Sequence, residues 1–428
     1  MRALFVAFYF PPAGGGGVQR TLKFCKYLPE FGIEVHVLTP DDPKWFARDD
    51  RLLTQVPDDT VVHRARFLGP RSSFREDALA GRSGLSRLTV EARYAYQRAL
   101  VPDKATPWMA TAVPAGIRIA RRHKIDVVLS TSPPPSAHLA AGAIATATRL
   151  PWVADFRDSW LANPHRDYEK LGVRAKRVVE ERMARSVGRR ATRLVAATGA
   201  IGEELGRLHP TAPERVTVIE NGADFDDFDG LPAGSDDGRM TIIHAGSFFG
   251  KRTPRHFLQA LRELLDRRPE LDGRILARFV GEMRPEDRVA ASRLGLDGAW
   301  EETGFLSYGD ALAAQRAADA LLLLIPDAGG RGDTVLSGKV FEYIAAARPI
   351  LAAVPPGGMA ADLVRRSGSG EVADGEDAAA VSAALERLAD RWLDGGLPDI
   401  ELAAPLREEL SRRSRARDLA EVLKSAAA

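Results

Sequence analysis

A single cysteine, Cys25, stands in a chain of 428 residues. That excludes an intramolecular disulfide and any cysteine-built metal cluster, and it fits a reducing, cytoplasmic compartment. No run of about 18 uncharged apolar residues is present, so no segment is expected to cross a membrane as a helix. Net charge is nearly absent as well: 60 basic against 58 acidic side chains leave a formal +2, and no general attraction to nucleic acid follows. The eight histidines show no ligand spacing along the chain, so no metal is expected. The opening segment MRALFVAFYFPPAGGGG lacks a small-residue cleavage site and runs into Pro11, Pro12 and glycines. It reads as a buried strand rather than a leader.

The length and the 45% hydrophobic, 28% charged composition describe a globular protein with two cores, at roughly 100 to 200 residues per domain. ALFVAFYF, a glycine loop, and a segment with Val18, Leu22, Cys25 and Leu28 at helical spacing read as strand, loop and helix. EVHVLT follows as a second strand, so the chain opens on a β-α-β unit with a parallel sheet. TVVHRA, DVVLST, WVADF, RLVAAT and VTVIE are further strands with helical stretches between most of them. This alternation predicts a doubly wound α/β domain.

After the acidic, glycine-rich stretch NGADFDDFDGLPAGSDDG, which reads as a linker, the alternation restarts. MTIIHAGS, RILARFVG, GAWEETG, ADALLLLI and RPILAAV form the second strand series. Residues 1–222 and 223–405 are thus two Rossmann-like domains, and residues 406–428 a terminal helix with no strand after it. The polar stretch from Pro70 to Lys104 is expected to be an insertion of loops and helices.

Ligands of doubly wound sheets bind outside the carboxyl ends of the strands, so the loops after strands carry the chemistry. Gly14 to Gly17 precede a helix, where bare backbone and free N–H groups suit an anion. The loop is neither a Walker loop nor a dinucleotide loop, since Gln19 stands where the third glycine belongs. In HAGSFFGKR, Lys251 and Arg252 precede another helix, and two cations there suit a diphosphate.

The succession of the glycine loop, DFRDSW, VIENGADFDDF, HAGSFFGKR, FVGE, GFLSYGDALAAQRAADALLLLIP and SGKVFEYIAAARPILAAVPPGG resembles family 4 of the retaining glycosyltransferases. The resemblance runs over nearly the whole chain. It implies the GT-B fold, with two Rossmann-like domains facing a central cleft and the terminal helix returning to the first. It also implies a nucleoside diphosphate sugar as co-substrate held mainly by the second domain, an acceptor held mainly by the first, and transfer with retention and without a metal or cofactor. Residue by residue, Glu342 matches the acid on the donor ribose, and a carboxylate accepts from two vicinal hydroxyls at once. Lys251 and Arg252, with Ser247 and Glu282, match the donor loops. Gly16 and Gly17 match the loop that lets phosphates and sugar approach. Ser337, Gly338 and Lys339 fall near the phosphates.

Two positions depart from the family. Thr334 stands where a first glutamate touches the transferred sugar, so the sugar's identity stays open. Arg157 stands where many members carry a histidine, followed by Asp158. A guanidinium stays protonated and binds an acceptor or phosphate rather than acting as a base. Arg157 and Asp158 are the residues expected at the reaction centre, with His138, Asp155 and Trp160 as acceptor contacts. The acids Asp224, Asp226, Asp227 and Asp229 read as a hinge or helix start, not a metal motif, and Trp108 as packing. The segment VRAKRVVEERMARSVGRRATR spaces Val178, Val179, Met183 and Val187 helically among arginines, which suits a solvated face or peripheral contact with the inner membrane surface. The acceptor is a glycan, a lipid-linked molecule or a small molecule, and polysaccharide or glycoconjugate assembly is the expected setting. The competing readings are a sugar-nucleotide-binding protein with little transfer, and a nucleotide-sugar epimerase of the same fold.

Overall fold

The computed structural model describes the chain except residues 46, 71–84, 162–170, 209–212, 235–237 and 249. The chain forms two compact units, Met1–Glu220 with Arg415–Ala428, and Asn221–Ser414.

The first unit is built on seven strands: β1 (Arg2–Ala7), β2 (Glu34–Pro40), β3 (Val61–Ala65), β4 (Val127–Ser132), β5 (Trp152–Phe156), β6 (Arg193–Ala196) and β7 (Val216–Val218). They pair in parallel in the order β3-β2-β1-β4-β5-β6-β7. The strands are near-continuous apolar runs because both sheet faces are covered. In β1, Leu4 and Val6 enter one core with Trp108, Ile144 and Trp152. Ala3, Phe5 and Ala7 enter the other, with Cys25, Leu419 and Leu423. This is the strand's two-residue period read out as two cores. Trp108 has no exposed surface, so it packs, as its sequence context suggested.

The second unit carries β8 (Met240–Ala245), β9 (Ile275–Val280), β10 (Trp300–Gly304), β11 (Ala320–Leu324), β12 (Ile350–Ala353) and β13 (Gly370–Ala373). Their order is β10-β9-β8-β11-β12-β13, again all parallel. Ile242 and Leu322 face one core, and Ile243, Leu321 and Leu323 the other. In both sheets strand order reverses at the first strand of the unit, which places the switch points between β1 and β4 and between β8 and β11.

The first part of the acidic stretch is folded rather than an open linker. Phe225–Phe228 forms a 3-10 turn whose two phenylalanines are buried in the second unit, and Arg407 lies over Phe225, 4.1 Å from ring centroid to guanidinium carbon. Helix Ala404–Leu410 stays with this unit, and the Leu410 carbonyl accepts from the Ala223 amide at 2.8 Å. The chain rejoins the first unit at Arg415, within helix Arg412–Ala427, rather than at residue 406. There Ala416, Leu419, Ala420 and Leu423 pack beneath β1 and β4.

Candidate functional site

In the second unit the chemistry gathers where β8 and β11 end. Helix Gly338–Ala345 begins there, and the Ser337 hydroxyl accepts from the Lys339 amide in its first turn. The helix is held by Tyr343, whose hydroxyl accepts from the Ala245 amide at 2.8 Å. Its first turn therefore faces the end of β8.

Gly246 at that strand end has φ +127°, and a Cβ there would stand 2.6 Å from Lys339 Cε and 2.7 Å from Nζ. The Lys339 amine thus occupies room that only glycine leaves. Burial, and next the charge of Arg252, push the amine down to about 7, while Glu342 pulls the other way. Arg252 is itself buried and lowered by that burial. Two cations held close together against their mutual repulsion form a seat for a polyanion. Glu342 lies on the same helix, half-buried; burial raises the phenols of Tyr308 and Tyr343, and the charge of Glu342 adds to the rise. The Tyr308 hydroxyl donates to Asp227 at 2.9 Å, which fastens the acidic turn beside this helix.

The neighbouring loops are zipped together. Gly246 donates to the Val280 carbonyl at 2.6 Å, Phe248 to the Glu282 carbonyl at 3.1 Å, and the Glu282 amide to Ser247 Oγ at 3.1 Å. Gly281, at φ +131°, lies so close to Gly246 that a Cβ would meet its carbonyl carbon at 2.7 Å. Ser247 and Glu282 are therefore brought together at this end of the sheet, whereas Lys251 and Thr334 are exposed. Thr334 Oγ1 donates to the Arg331 carbonyl at 3.1 Å, within its own short turn.

Sequence reasoning missed His244. It reads as one residue of a strand, yet it is fully buried beside Lys339 and Arg252. Its Nδ1 donates to the Leu322 carbonyl at 2.9 Å, so Nε2 carries the lone pair, and that atom has no partner among the described residues.

In the first unit the glycine loop opens helix Gly16–Tyr27, with Gly15 at φ 85° as an N-cap that offers no side chain. Gly16 is exposed, and Gly17 is half-buried. Arg157 follows β5 and ties the switch point: its Nη1 donates to the Gly17 carbonyl and its Nε to the Ser132 carbonyl at 3.1 Å. Asp158 beside it is exposed. Gln19, in the first turn, is buried, and neither amide atom has a partner among the described residues.

The three expected acceptor contacts need correction. Asp155, 1% exposed, grips Arg20, 3% exposed, through both oxygens at 2.8 and 3.1 Å. It also accepts from Thr131 Oγ1 at 2.9 Å, so its carboxylate is committed to the protein. His138 has no exposed surface. The Ser130 hydroxyl lies 2.7 Å from its Nδ1, within hydrogen-bond distance, and accepts from Trp152 Nε1–H at 2.8 Å. Burial pushes this imidazole down to about 3. Trp160 is buried near the same ring, 6.5 Å between centroids. These are core residues rather than acceptor contacts.

Helix Leu171–Arg190 buries Glu180, Ala184 and Val187, while Val178 and Val179 are 54% and 40% exposed. The apolar stripe read from spacing is therefore rotated. The arginines share the outer face with two valines. Among the described residues no helix is long and apolar enough to cross a membrane. His36, His63 and His123, which show no ligand spacing along the chain, converge in the first unit.

Residues 14–227, half of the chain, match the family model described as Glycosyltransferase Family 4. Among curated proteins, D-inositol 3-phosphate glycosyltransferase of Streptomyces scabiei is 30% identical over 235 residues, which is 50% of this chain and 49% of that protein. The match thus spans about half of the relative's length. Among solved structures, Anabaena HepE in complex with UDP and glucose is similar at TM-score 0.63 and 15% identity, over 99% of this chain and 100% of that one. UDP-GlcNAc 2-epimerase of Methanocaldococcus jannaschii is similar at TM-score 0.54 and 11% identity, over 99% and 100%. At such identities the likeness is one of fold, the doubly wound pair of the GT-B class, and fold alone does not separate transfer from epimerisation.

Proposed function

This chain belongs to glycosyltransferase family 4, and from that membership we propose that it moves a sugar from a nucleoside diphosphate sugar to an acceptor hydroxyl with retention at the anomeric carbon. The observation that carries the donor half is the Lys339 amine set against Gly246 at the end of β8, with the charge of buried Arg252 near it and Glu342 on the helix that starts there. The cations take the diphosphate and favour its departure. The carboxylate takes the two ribose hydroxyls, an acceptor for two donors. In this reading the charge that a metal would otherwise bring to the leaving group comes from Arg252, and from Lys339 once the bound diphosphate holds its proton.

In the first unit, Arg157 is held by the Gly17 and Ser132 carbonyls, which leaves Nη2 for an acceptor or phosphate oxygen. Without a base at this position, the departing phosphate takes the acceptor proton, and the nucleophile attacks from the face the leaving group vacates. Donor sugar and acceptor are open to assay. UDP-glucose and an inositol phosphate are rational starting points, since UDP, glucose and that acceptor class belong to the names of similar proteins.

The test is a screen of nucleoside diphosphate sugars and acceptors with product analysis by proton NMR. The expected product keeps the donor's anomeric configuration, and Glu342→Ala and Arg252→Ala each lower kcat/KM by about ten- to a hundredfold, the scale of one lost charged hydrogen bond. An inverted product would remove retention. Conversion of the donor without acceptor would replace the reading by epimerisation.

A further inference from the structure

Three histidines far apart in sequence meet on one face of the first sheet. His36 lies on β2, His63 on β3, and His123 closes helix Met109–Arg122, and one ring nitrogen from each lies within 4.8 Å of the other two. The register brings this about: His36 pairs with Val61 and Leu38 with His63, so the two strand histidines point to the same side two residues apart. The Arg2 guanidinium donates to the His123 carbonyl at 3.3 Å, which places the cluster toward the strand starts, away from the loops after strands.

We propose that His36, His63 and His123 bind one divalent transition-metal ion, of which zinc is the type, and that this ion fastens β2, β3 and the end of helix Met109–Arg122. His36 Nδ1 and His63 Nε2 are 3.2 Å apart, whereas two nitrogens bound tetrahedrally to zinc at about 2.0–2.1 Å would be about 3.3 Å apart. A third nitrogen needs a small movement of a half-exposed ring to complete the set. An outer carboxylate is in place: His36 Nε2 is 3.2 Å from Glu34 Oε1, and since a carboxylate only accepts, Nε2 carries the proton and Nδ1 the lone pair. This is the usual carboxylate–histidine arrangement behind a metal.

Arg2 donates to the other oxygen of Glu34 at 2.9 Å, so the nearest strand cation is already paired, and Arg122 is the other neighbouring cation. An all-imidazole set selects zinc, copper or nickel over magnesium or calcium, and three ligands leave one position for water. Because the cluster lies away from the loops that follow the strands, the ion stabilises the fold and takes no part in sugar transfer.

The experiment uses the full chain without a histidine tag, stripped with chelator and dialysed. Zn²⁺ is titrated by calorimetry and by thermal unfolding, with Mg²⁺ as control, and Co²⁺ serves as the spectroscopic probe. The expected result is one Zn²⁺ per chain, an unfolding midpoint that climbs with Zn²⁺ concentration, and Co²⁺ absorption of tetrahedral intensity. His63→Ala and His123→Ala each weaken Zn²⁺ by more than about tenfold, the least effect seen for partners behind the ligands, while His256→Ala in the second unit leaves it unchanged. Both substituted rings are half-exposed, so the variants retain the fold. Absence of saturable Zn²⁺ binding to the natural chain, or undiminished affinity in a variant that combines His63→Ala with His123→Ala, overturns the proposal.

Discussion

At Lys339 two demands meet. Burial and Arg252 favour the neutral amine, Glu342 favours the ammonium, and the balance falls at about 7 against an ordinary 10.5. The sign for stability follows from proton counts: between those values the unfolded chain binds the proton and the folded one does not, so this group's contribution to stability rises with pH across that window. A bound diphosphate reverses the preference, because its charge holds the ammonium. Nucleotide binding at about pH 8 is therefore expected to take up a proton, visible in calorimetry as a heat that changes with the ionisation enthalpy of the buffer. Affinity should be flat below about pH 7 and fall above it. Lys339→Met should abolish the buffer dependence, and a natural protein without it would show that this amine does not meet the ligand. The residues legible in the sequence here were the charges in the first turns of helix Gly338–Ala345, Lys339 and Glu342. His244 and Tyr343 were not, because a histidine inside an apolar run and a tyrosine inside an amphipathic helix look like packing until the two elements are set side by side.

At the scale of elements, the Arg20–Asp155 pair joins helix Gly16–Tyr27 to β5, and Arg20 also donates to the Ile219 and Glu220 carbonyls at 2.8 and 3.0 Å. Removing either partner strands a buried charge, which costs about 3–5 kcal/mol. Asp155→Ala should accordingly speed hydrogen exchange of the β5 amides by two orders of magnitude or more, and an unchanged exchange rate would contradict this role. Asp155 looked like a ligand residue because its partner is 135 positions away, beyond any local pattern. The same physics hid β13. Its four residues, Gly370–Ala373, offer no apolar run, and the strand exists because Ile350 and its neighbours in β12 present an unpaired edge. The strands that were legible are those whose two buried faces demand unbroken apolar sequence.

Over the whole molecule, the doubly wound pair was legible from the restart of strand–helix alternation. The boundaries of the units were less so, because the acidic, glycine-rich composition around Asp224 hides two phenylalanines that anchor it to the second core. The convergence of His36, His63 and His123 was invisible for a related reason: strand order, not spacing, makes them neighbours. The central claim is that the second unit holds a nucleoside diphosphate, with Glu342 on the ribose and the cations Lys339 and Arg252 on the phosphates. Its most direct test is calorimetric titration of UDP and of inorganic pyrophosphate into the natural chain and into Glu342→Ala. The account predicts that the substitution weakens UDP by about ten- to a hundredfold and leaves pyrophosphate, which has no ribose, no weaker than before. Equal UDP affinity in both proteins would contradict it.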